Sequence, residues 1–249
     1  TLSNGLQTKN AAGGVTSALP HYSATRGLFD IASVPTIDYI TIATLGNSTN
    51  FGDLSVSRAA GTATSDGSRG VFAGGGAPSN VIDYVTIATT GNATDFGDLT
   101  QARNENLAGL ASNTRGVFAG GYASASNQNT IDYITIATTG NATDFGDMTV
   151  SRRGVGGTSN GTRGVFAGGY STLYEVTMDY ITIATTGNAT DFGDMTEAQL
   201  RLNSNLSSET RGVFGLGAIE ASPFSTNTIM YITIDTTGNA SDFGDATVV

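Results

Sequence analysis

The stretch IDYITIATTGNATDFGD (residues 131–147) indicates the fold, because four closely similar copies of it occur elsewhere in the 249-residue chain. The other copies begin at Ile37, Ile82, Met178 and Ile229. Each copy follows a second block of the type TRGVFAGGY, which in this case starts at Thr114. The tyrosines of successive copies are 45, 49, 47 and 51 residues apart. A period of this length is typical of the four-stranded blade of a β-propeller.

Each repeat divides into four predicted strands, labelled a to d. Strand a is a small apolar segment such as NLAGLAS (106–112), and an Asn-Gly or Asp-Gly turn joins it to strand b, RGVFAGG. Strand c, DYITIAT, is dense in β-branched and aromatic residues, which favour strands. The turn TTGNAT leads into strand d, which begins at DFGD and ends near the next arginine. The chain is therefore predicted to be all-β, a five-bladed β-propeller of four-stranded antiparallel blades.

A single domain, 1–249, accommodates five such units. The predicted blades span approximately 10–58, 59–103, 104–152, 153–201 and 202–249. Residues 1–9 are predicted to be a closing segment that docks near the last strand, and side chains are expected to pack between blades 1 and 5. The phenylalanines of the DFGD motifs are expected to fill the space between sheets: Phe51, Phe96, Phe145, Phe192 and Phe243.

The composition excludes several classes of function. The chain has 34 glycines and no cysteine, and its net charge is −10, with 11 basic against 21 acidic residues. Affinity for nucleic acids depends on Lys and Arg that neutralise phosphates, so no nucleic-acid binding is predicted. No apolar run approaches the ~18 residues of a membrane-spanning helix, so no membrane insertion is predicted. The N-terminus lacks the basic region and apolar core of a signal peptide.

Length variation within the repeats is concentrated in the b–c loop. The distance from the strand c tyrosine to the phenylalanine of DFGD is 12 residues in every copy, whereas the distance from the arginine of the RG motif to that tyrosine is 13, 15, 18, 17 and 20. A uniform frame that carries one variable loop per repeat is typical of a binding surface. The predicted binding residues lie in these loops: Pro78, Tyr122, Asn127, Gln128, Tyr170, Tyr174, Glu175, Glu220 and Phe224.

Catalytic signals are weak. The DFGD quartet occurs without a kinase catalytic loop or P-loop, and the lone histidine, His21, lies beside Pro20 in a predicted turn. Carboxylates repeated in every unit do not make the single asymmetric constellation of an active site, so no enzyme activity and no cofactor are predicted. Asn92, Asp95 and Asp98 are a weaker alternative as calcium ligands, because they place oxygen atoms close together in a Gly-rich turn.

Aspartates also precede the strand c tyrosine in four copies, at Asp38, Asp83, Asp132 and Asp179. The arginines of the RG motifs lie one strand away in the same blades. This arrangement predicts repeated Arg–Asp pairs within blades, with Met230 replacing the aspartate in blade 5.

The order of these landmarks resembles a kelch repeat. In a kelch blade a small apolar strand is followed by a double glycine, a tyrosine, an aromatic residue and an arginine. Gly120 and Gly121 match the double glycine and Phe145 matches the aromatic residue, which is usually Trp. The kelch arginine corresponds in this interpretation to Arg58, Arg103, Arg152 and Arg201. The resemblance implies a kelch-like propeller.

The sequence pattern RGVFAGGY followed by IDYITIATTGNATDFGDLT also resembles repeats of virion proteins from marine tailed bacteriophages. That resemblance implies a tail, tail fibre or particle-surface component, located on the virion surface or outside the cell. The expected function is therefore a non-enzymatic structural or host attachment module. Its expected partners are other virion proteins, or a host-surface protein or glycan. The alternative is a carbohydrate-binding, lectin-like propeller with sugar sites between blades.

Overall fold

The computed structural model describes residues 25–31, 33–202, 204–220 and 225–247. These residues form five antiparallel sheets and one short hairpin, and they contain no helix. The chain is a five-bladed β-propeller, which confirms the predicted fold class. Predicted strand a of blade 1, the predicted closing segment 1–9, His21 and Phe224 lie outside the described residues.

Twenty-one strands are defined in the described residues. In chain order they are β1 (Arg26–Asp30), β2 (Thr36–Thr41), β3 (Thr49–Asp53), β4 (Thr62–Ser65), β5 (Arg69–Ala73), β6 (Ser79–Thr86), β7 (Thr94–Arg103), β8 (Ala108–Ala111), β9 (Arg115–Ala119), β10 (Tyr122–Ala123), β11 (Ser126–Asn127), β12 (Thr130–Thr135), β13 (Thr143–Asp147), β14 (Gly156–Ser159), β15 (Arg163–Ala167), β16 (Thr177–Thr182), β17 (Thr190–Asp194), β18 (Ser204–Ser207), β19 (Arg211–Gly215), β20 (Thr228–Thr233) and β21 (Ser241–Asp245).

The strands pair in the order predicted for a blade. The sheets are β1-β2-β3, β4-β5-β6-β7, β8-β9-β12-β13, β14-β15-β16-β17 and β18-β19-β20-β21, and β10 pairs with β11 inside the b–c loop of blade 3. Strands β4, β8, β14 and β18 are the a strands, and they contact one another in that order around the propeller axis. Strand d is the outer strand of each blade.

A β-bulge in strand d turns the phenylalanine side chain of DFGD towards the next blade. In blade 3, Ile131 pairs with Gly146 and Asp132 pairs with Asp144, so Phe145 is the extra residue, and the same register shift occurs in every blade. A bulge bends the strand and redirects the extra side chain. Phe145 is buried against Phe166 and Ile181 of blade 4, so the hydrophobic core lies between adjacent blades.

Phe243 is the exception to the predicted core. Its side chain is 56% exposed, whereas the phenylalanines of DFGD in the other four blades are 2–3% exposed. The predicted packing between blades 1 and 5 is not formed by the described residues. The reason is that no described part of a neighbouring sheet covers the outward face of blade 5.

Four hydrogen bonds recur wherever two adjacent blades meet, and this contact is termed the seam. Between blades 2 and 3, the amide of Gly140 donates to the carbonyl of Phe96 (2.8 Å) and the amide of Ala142 donates to that of Asp98 (2.7 Å). The amide of Asp98 donates to Asn141 Oδ1 at 3.1 Å. Arg69 donates from strand b to the carbonyl of Ile136 at 2.8 Å. The seams between blades 1 and 2, 3 and 4, and 4 and 5 contain the same four bonds.

Glycine is required at the centre of the seam. Gly97 has φ +141°, and a Cβ atom on it would lie 2.5 Å from the carbonyl oxygen of Gly140. Real Cβ atoms do not approach the backbone this closely, so these two backbone segments meet only because Gly97 has no side chain. Gly244 of blade 5 has a similar φ of +133°, yet nothing lies within 4 Å of its Cβ position.

We expect Gly97→Ala to be more destabilising than Gly244→Ala. Both variants strain the backbone, but only Gly97→Ala pushes apart a formed seam, which adds about 1–3 kcal/mol to the loss of unfolding free energy. Urea denaturation of the two variants beside the parent measures the difference. Equal losses would show that the outward face of blade 5 is packed as tightly as the formed seams.

Buried arginines also join adjacent blades. Arg103, at the end of strand d of blade 2, is fully buried in blade 3, where it donates to the carbonyls of Gly120 (2.9 Å) and Thr130 (2.7 Å) and to Asp132 (2.6 Å). Arg58–Asp83 and Arg152–Asp179 are equivalent, both at 2.6 Å. Burial lowers the pKa of each guanidinium, and the charge of its aspartate opposes that change.

The predicted Arg–Asp pairing within blades is therefore wrong. In blade 2, Asp83 lies opposite Phe72 and Arg69 lies opposite Thr86, so the register separates the two charges. Arg69 instead stacks over the ring of Tyr84, with its guanidinium carbon 4.6 Å from the ring centre. The arginines of the RG motifs in all five blades make this contact.

The kelch-type assignment of Arg201 also needs correction. Gln199 occupies the buried position in blade 5. It lies five residues after the last Asp of DFGD, as the buried arginines do in the other blades. Its carbonyl accepts from Gly169, as those of Arg103 and Arg152 accept from the equivalent glycines. Arg201 is exposed and lies 3.9 Å from Glu105. Gln199 and buried Met230 thus replace the Arg–Asp pair together.

This paired replacement provides a test of the ion pair. Asp132→Met is expected to lower the free energy of unfolding by about 3–5 kcal/mol, because it leaves Arg103 buried without its counter-charge. Adding Arg103→Gln should restore most of that loss, since Gln199 and Met230 fill the equivalent positions. Urea denaturation of the parent, both single variants and the double variant measures the coupling. A double variant as unstable as Asp132→Met would contradict the interpretation.

Candidate functional site

The variable b–c loops and the linkers from strand d to the next strand a lie together at one end of the propeller, termed the loop face. Isolated bridges connect a linker to a loop in three blades: Asn104 with Tyr122, Arg153 with Tyr170, and Leu200 with Ala218. Each linker is thus hydrogen-bonded to the loop of the blade that it enters. The uniform c–d turns and a–b turns lie at the opposite end.

Arg153 joins the loops of blades 3 and 4. Its guanidinium carbon lies 4.9 Å from the ring centre of Tyr122 and 5.0 Å from that of Tyr170, so it contacts one aromatic ring from each blade. Tyr170 in turn meets Tyr174 edge to face, with ring centres 6.0 Å apart. A guanidinium between aromatic rings is favoured by the ring quadrupoles. The Tyr122–Arg153–Tyr170–Tyr174 group is termed the aromatic cluster.

Hydrogen bonds extend this connection across three blades. Asn127 Nδ2 in the blade 3 loop donates to the carbonyl of Ser171 in the blade 4 loop at 2.6 Å. The amide of Tyr174 donates to Glu220 Oε1 in the blade 5 loop at 3.0 Å. Five of the predicted binding residues contribute to one continuous surface: Tyr122, Asn127, Tyr170, Tyr174 and Glu220.

Two of the predicted residues support the loops from within. Gln128 donates to the carbonyls of Ala123 and Ser126 and accepts from Gln101, so it braces its own loop. Glu175 accepts from Ser171 and Thr177, and its negative charge opposes the lowering of the pKa of buried Arg152. These side chains hold the loop conformation.

Pro78 stands apart from the aromatic cluster. It is exposed in the blade 2 loop, and in the described part of the chain no hydrogen bond or ring contact joins it to the cluster. Arg153 is not among the residues predicted from the sequence, although the sequence contains one feature that points to it. The doublet Arg152-Arg153 occurs only in blade 3, and blade 2 has Asn104 at the second position.

Two residues of the calcium alternative, Asn92 and Asp98, take part in seams, and Asp95 bonds within its own strand. Asn92 Oδ1 accepts from the amide of Asp53 in blade 1, and Asp95 Oδ1 accepts from the amide of Gly97. The amide of Asp98 donates to Asn141 of blade 3. Among the described residues there is no group of three or more His, Cys, Asp or Glu side chains arranged to hold a metal ion.

An axial cavity of about 380 Å³ lies between the a strands. Thr64, Leu110, Thr158 and Ser207 line it, together with Leu28 of blade 1. A second cavity of about 290 Å³ continues towards the loop face and is lined by Asn106, Arg201 and Asn205. The described side chains that line the two cavities are mostly small, hydroxyl-bearing or apolar, and they form no cluster of titratable groups of the kind that acid–base catalysis requires.

Comparisons with known proteins identify no family for this chain. No protein-family model matches the chain, and no curated protein matches it. In the described part of the chain, no helix is long and apolar enough to span a bilayer.

Arg153→Ala should loosen the loop face without affecting the seams. Loss of the guanidinium separates Tyr122 from Tyr170, and the contact is worth about 0.5–2 kcal/mol depending on its burial. Hydrogen–deuterium exchange should become faster in peptides that cover 120–130 and 168–176, while the seam amide of Gly187 stays protected. Unchanged exchange in both loops would show that Arg153 does not hold them together.

Proposed function

We propose that this protein is a non-enzymatic binding module that contacts a protein partner through its loop face. The observation that carries the proposal is the aromatic cluster with its neighbouring hydrogen bonds, which fixes loops from three blades as one surface. Binding requires less loss of conformational freedom when the contacting loops are already held in place.

The chemistry of the surface favours a protein partner. Tyrosine and arginine are enriched among the residues that dominate protein interfaces, because they combine a large contact area with hydrogen-bonding tips. The loops differ from blade to blade, so the surface is a single asymmetric patch. A partner with one complementary surface matches such a patch better than a small ligand bound five times.

The resemblance to virion proteins makes the proposal more specific. On that basis the chain is a structural or host attachment component of a tailed-phage particle, and its partner is another virion protein or a host-surface protein. The kelch-like order of landmarks is compatible with this role, because propellers of many functions share one frame. Binding without catalysis is proposed because the sequence has no kinase catalytic loop or P-loop and its carboxylates repeat from blade to blade, unlike the single asymmetric constellation of an active site.

A lectin-like function is the second candidate. Equivalent clefts of about 200–330 Å³ occur beside the c–d turns of blades 1, 4 and 5. In blade 4 the cleft is lined by Tyr180, Thr182 and Asn188, with Phe145 of the preceding blade. Aromatic and polar side chains together suit a sugar, and repetition of the cleft is the arrangement that a multivalent lectin uses.

One binding experiment separates the two candidates. The chain is tested by biolayer interferometry against the singly expressed products of neighbouring genes, and on a glycan array. We expect one of the proteins to bind, and Tyr122→Ala and Tyr174→Ala to weaken binding by roughly thirtyfold or more, which corresponds to about 2 kcal/mol.

Two control variants give the result its meaning. Tyr122→Phe keeps the ring that stacks on Arg153, and Thr139→Ala changes an exposed residue at the opposite end of the same blade. Both should bind as the parent does. Glycan binding without a protein partner would favour the lectin, and protein binding that is insensitive to both tyrosine variants would overturn the proposed role of the loop face.

A further inference from the structure

The described residues of blades 5 and 1 do not form the seam that joins the other adjacent blades. The equivalent hydrogen bonds would run from the amide of Gly46 to the carbonyl of Phe243, from Arg211 to the carbonyl of Ile42, and from the amide of Asp245 to Asn47 Oδ1. All of these residues are described, and none of the bonds is formed. A Cβ atom on Gly244 would have nothing within 4 Å, whereas one on the equivalent Gly97 would lie 2.5 Å from the carbonyl oxygen of Gly140 across a formed seam.

The apolar residues of this fifth seam are exposed on both sides. Phe29 of blade 1 is 51% exposed, whereas its equivalent Phe72 is 2% exposed because it packs against Phe51 of the preceding blade. Leu206 of blade 5 is 70% exposed, whereas its equivalent Leu110 is 4% exposed. With exposed Phe243, these side chains make two apolar faces, one on each terminal blade.

Each face already has the local geometry of a formed seam. Arg211 stacks over Tyr231 at 4.6 Å, as the other RG arginines do, and Tyr231 meets Phe243 edge to face at 6.0 Å. On blade 1 the amide of Ile42 donates to the carbonyl of Thr25, as in the equivalent turns of the other blades. Blade 5 therefore presents one half of a seam and blade 1 presents the other, and each half contains both hydrogen-bond donors and acceptors.

We infer that these faces bind each other between two copies of the chain, blade 5 of one copy against blade 1 of the next. The four formed seams supply the argument, because the same residue types already bind each other there. Within one chain, the described residues of the two faces form none of the hydrogen bonds of a seam. A second copy brings a complete complementary face without disturbing any formed seam.

This contact is heterologous, because two different faces meet. One face therefore remains free at each end of a dimer, and association continues to larger species unless the rotation closes a ring. This contact uses the edges of the propeller, and it does not depend on the function proposed for the loop face.

Cysteine cross-linking tests the inference directly, because the chain has no native cysteine. Asp245→Cys and Asn47→Cys are prepared as separate single variants, mixed and oxidised with copper–phenanthroline. We expect a disulfide-linked dimer from the mixture and none from either variant alone. The pair Asp194→Cys and Asn239→Cys in one chain is the positive control, since its amide and side-chain oxygen are 3.0 Å apart across a formed seam.

The Asp245→Cys/Asn47→Cys double variant distinguishes the alternatives. Linked dimers and larger species support association between copies. A link confined to single chains would overturn the inference in favour of closure within one chain. Absence of a link in both the mixture and the double variant, while the control pair is linked, would also overturn it and would indicate that another segment or partner covers these faces.

Sedimentation velocity gives an independent measurement. The average mass of the parent should rise with concentration, and Phe243→Asp should weaken the association by roughly tenfold or more, because it places a charge in the apolar centre of the contact. Leu173→Asp is the matched control, since Leu173 is also exposed but lies in the blade 4 loop. Equal effects of the two variants, or a parent mass that does not change with concentration, would contradict the inference.

Discussion

The seam between blades is the contact on which the rest of the structure depends. It joins the bulge that contains Phe96 to the turn that contains Gly140. The two backbone segments approach each other closely because Gly97 in the bulge has no side chain. A backbone contact of this kind tolerates almost no change in either segment. This requirement explains why the c–d turn and the DFGD motif are nearly identical in every repeat, while the loops at the other end of the blade differ.

The buried arginines strengthen the seams without being essential to them. Arg58, Arg103 and Arg152 each cross from one blade to an aspartate in the next. Each also donates hydrogen bonds to two backbone carbonyl groups of that blade. At the last junction Gln199 and Met230 occupy the same positions, and the seam there retains all four hydrogen bonds. Packing and backbone hydrogen bonds therefore define the blade arrangement, and the ion pair is one of two solutions for the interior.

The molecule carries two surfaces of different origin. The loop face is built from residues that occur once, and contacts such as that of Arg153 with Tyr122 and Tyr170 are specific to one pair of blades. The edge faces on blades 1 and 5 are built from the repeated motifs, and they differ from the interior seams because no described strand of an adjacent blade packs against them. The first surface suits recognition of a particular partner, and the second suits another copy of the same repeat.

The five repeats, the four strands in each and the positions of the variable loops are readable from the amino-acid sequence, because strand pattern and turn chemistry are local properties. The pairing of Arg103 with Asp132, the role of Gln199 in place of Arg201 and the position of Arg153 between two rings are visible only in the folded protein. These contacts depend on the register between strands and on the approach of separate blades. Phe192 is buried and Phe243 is exposed although both lie in a DFGD motif, because burial depends on the presence of a neighbouring sheet, which the local sequence does not record.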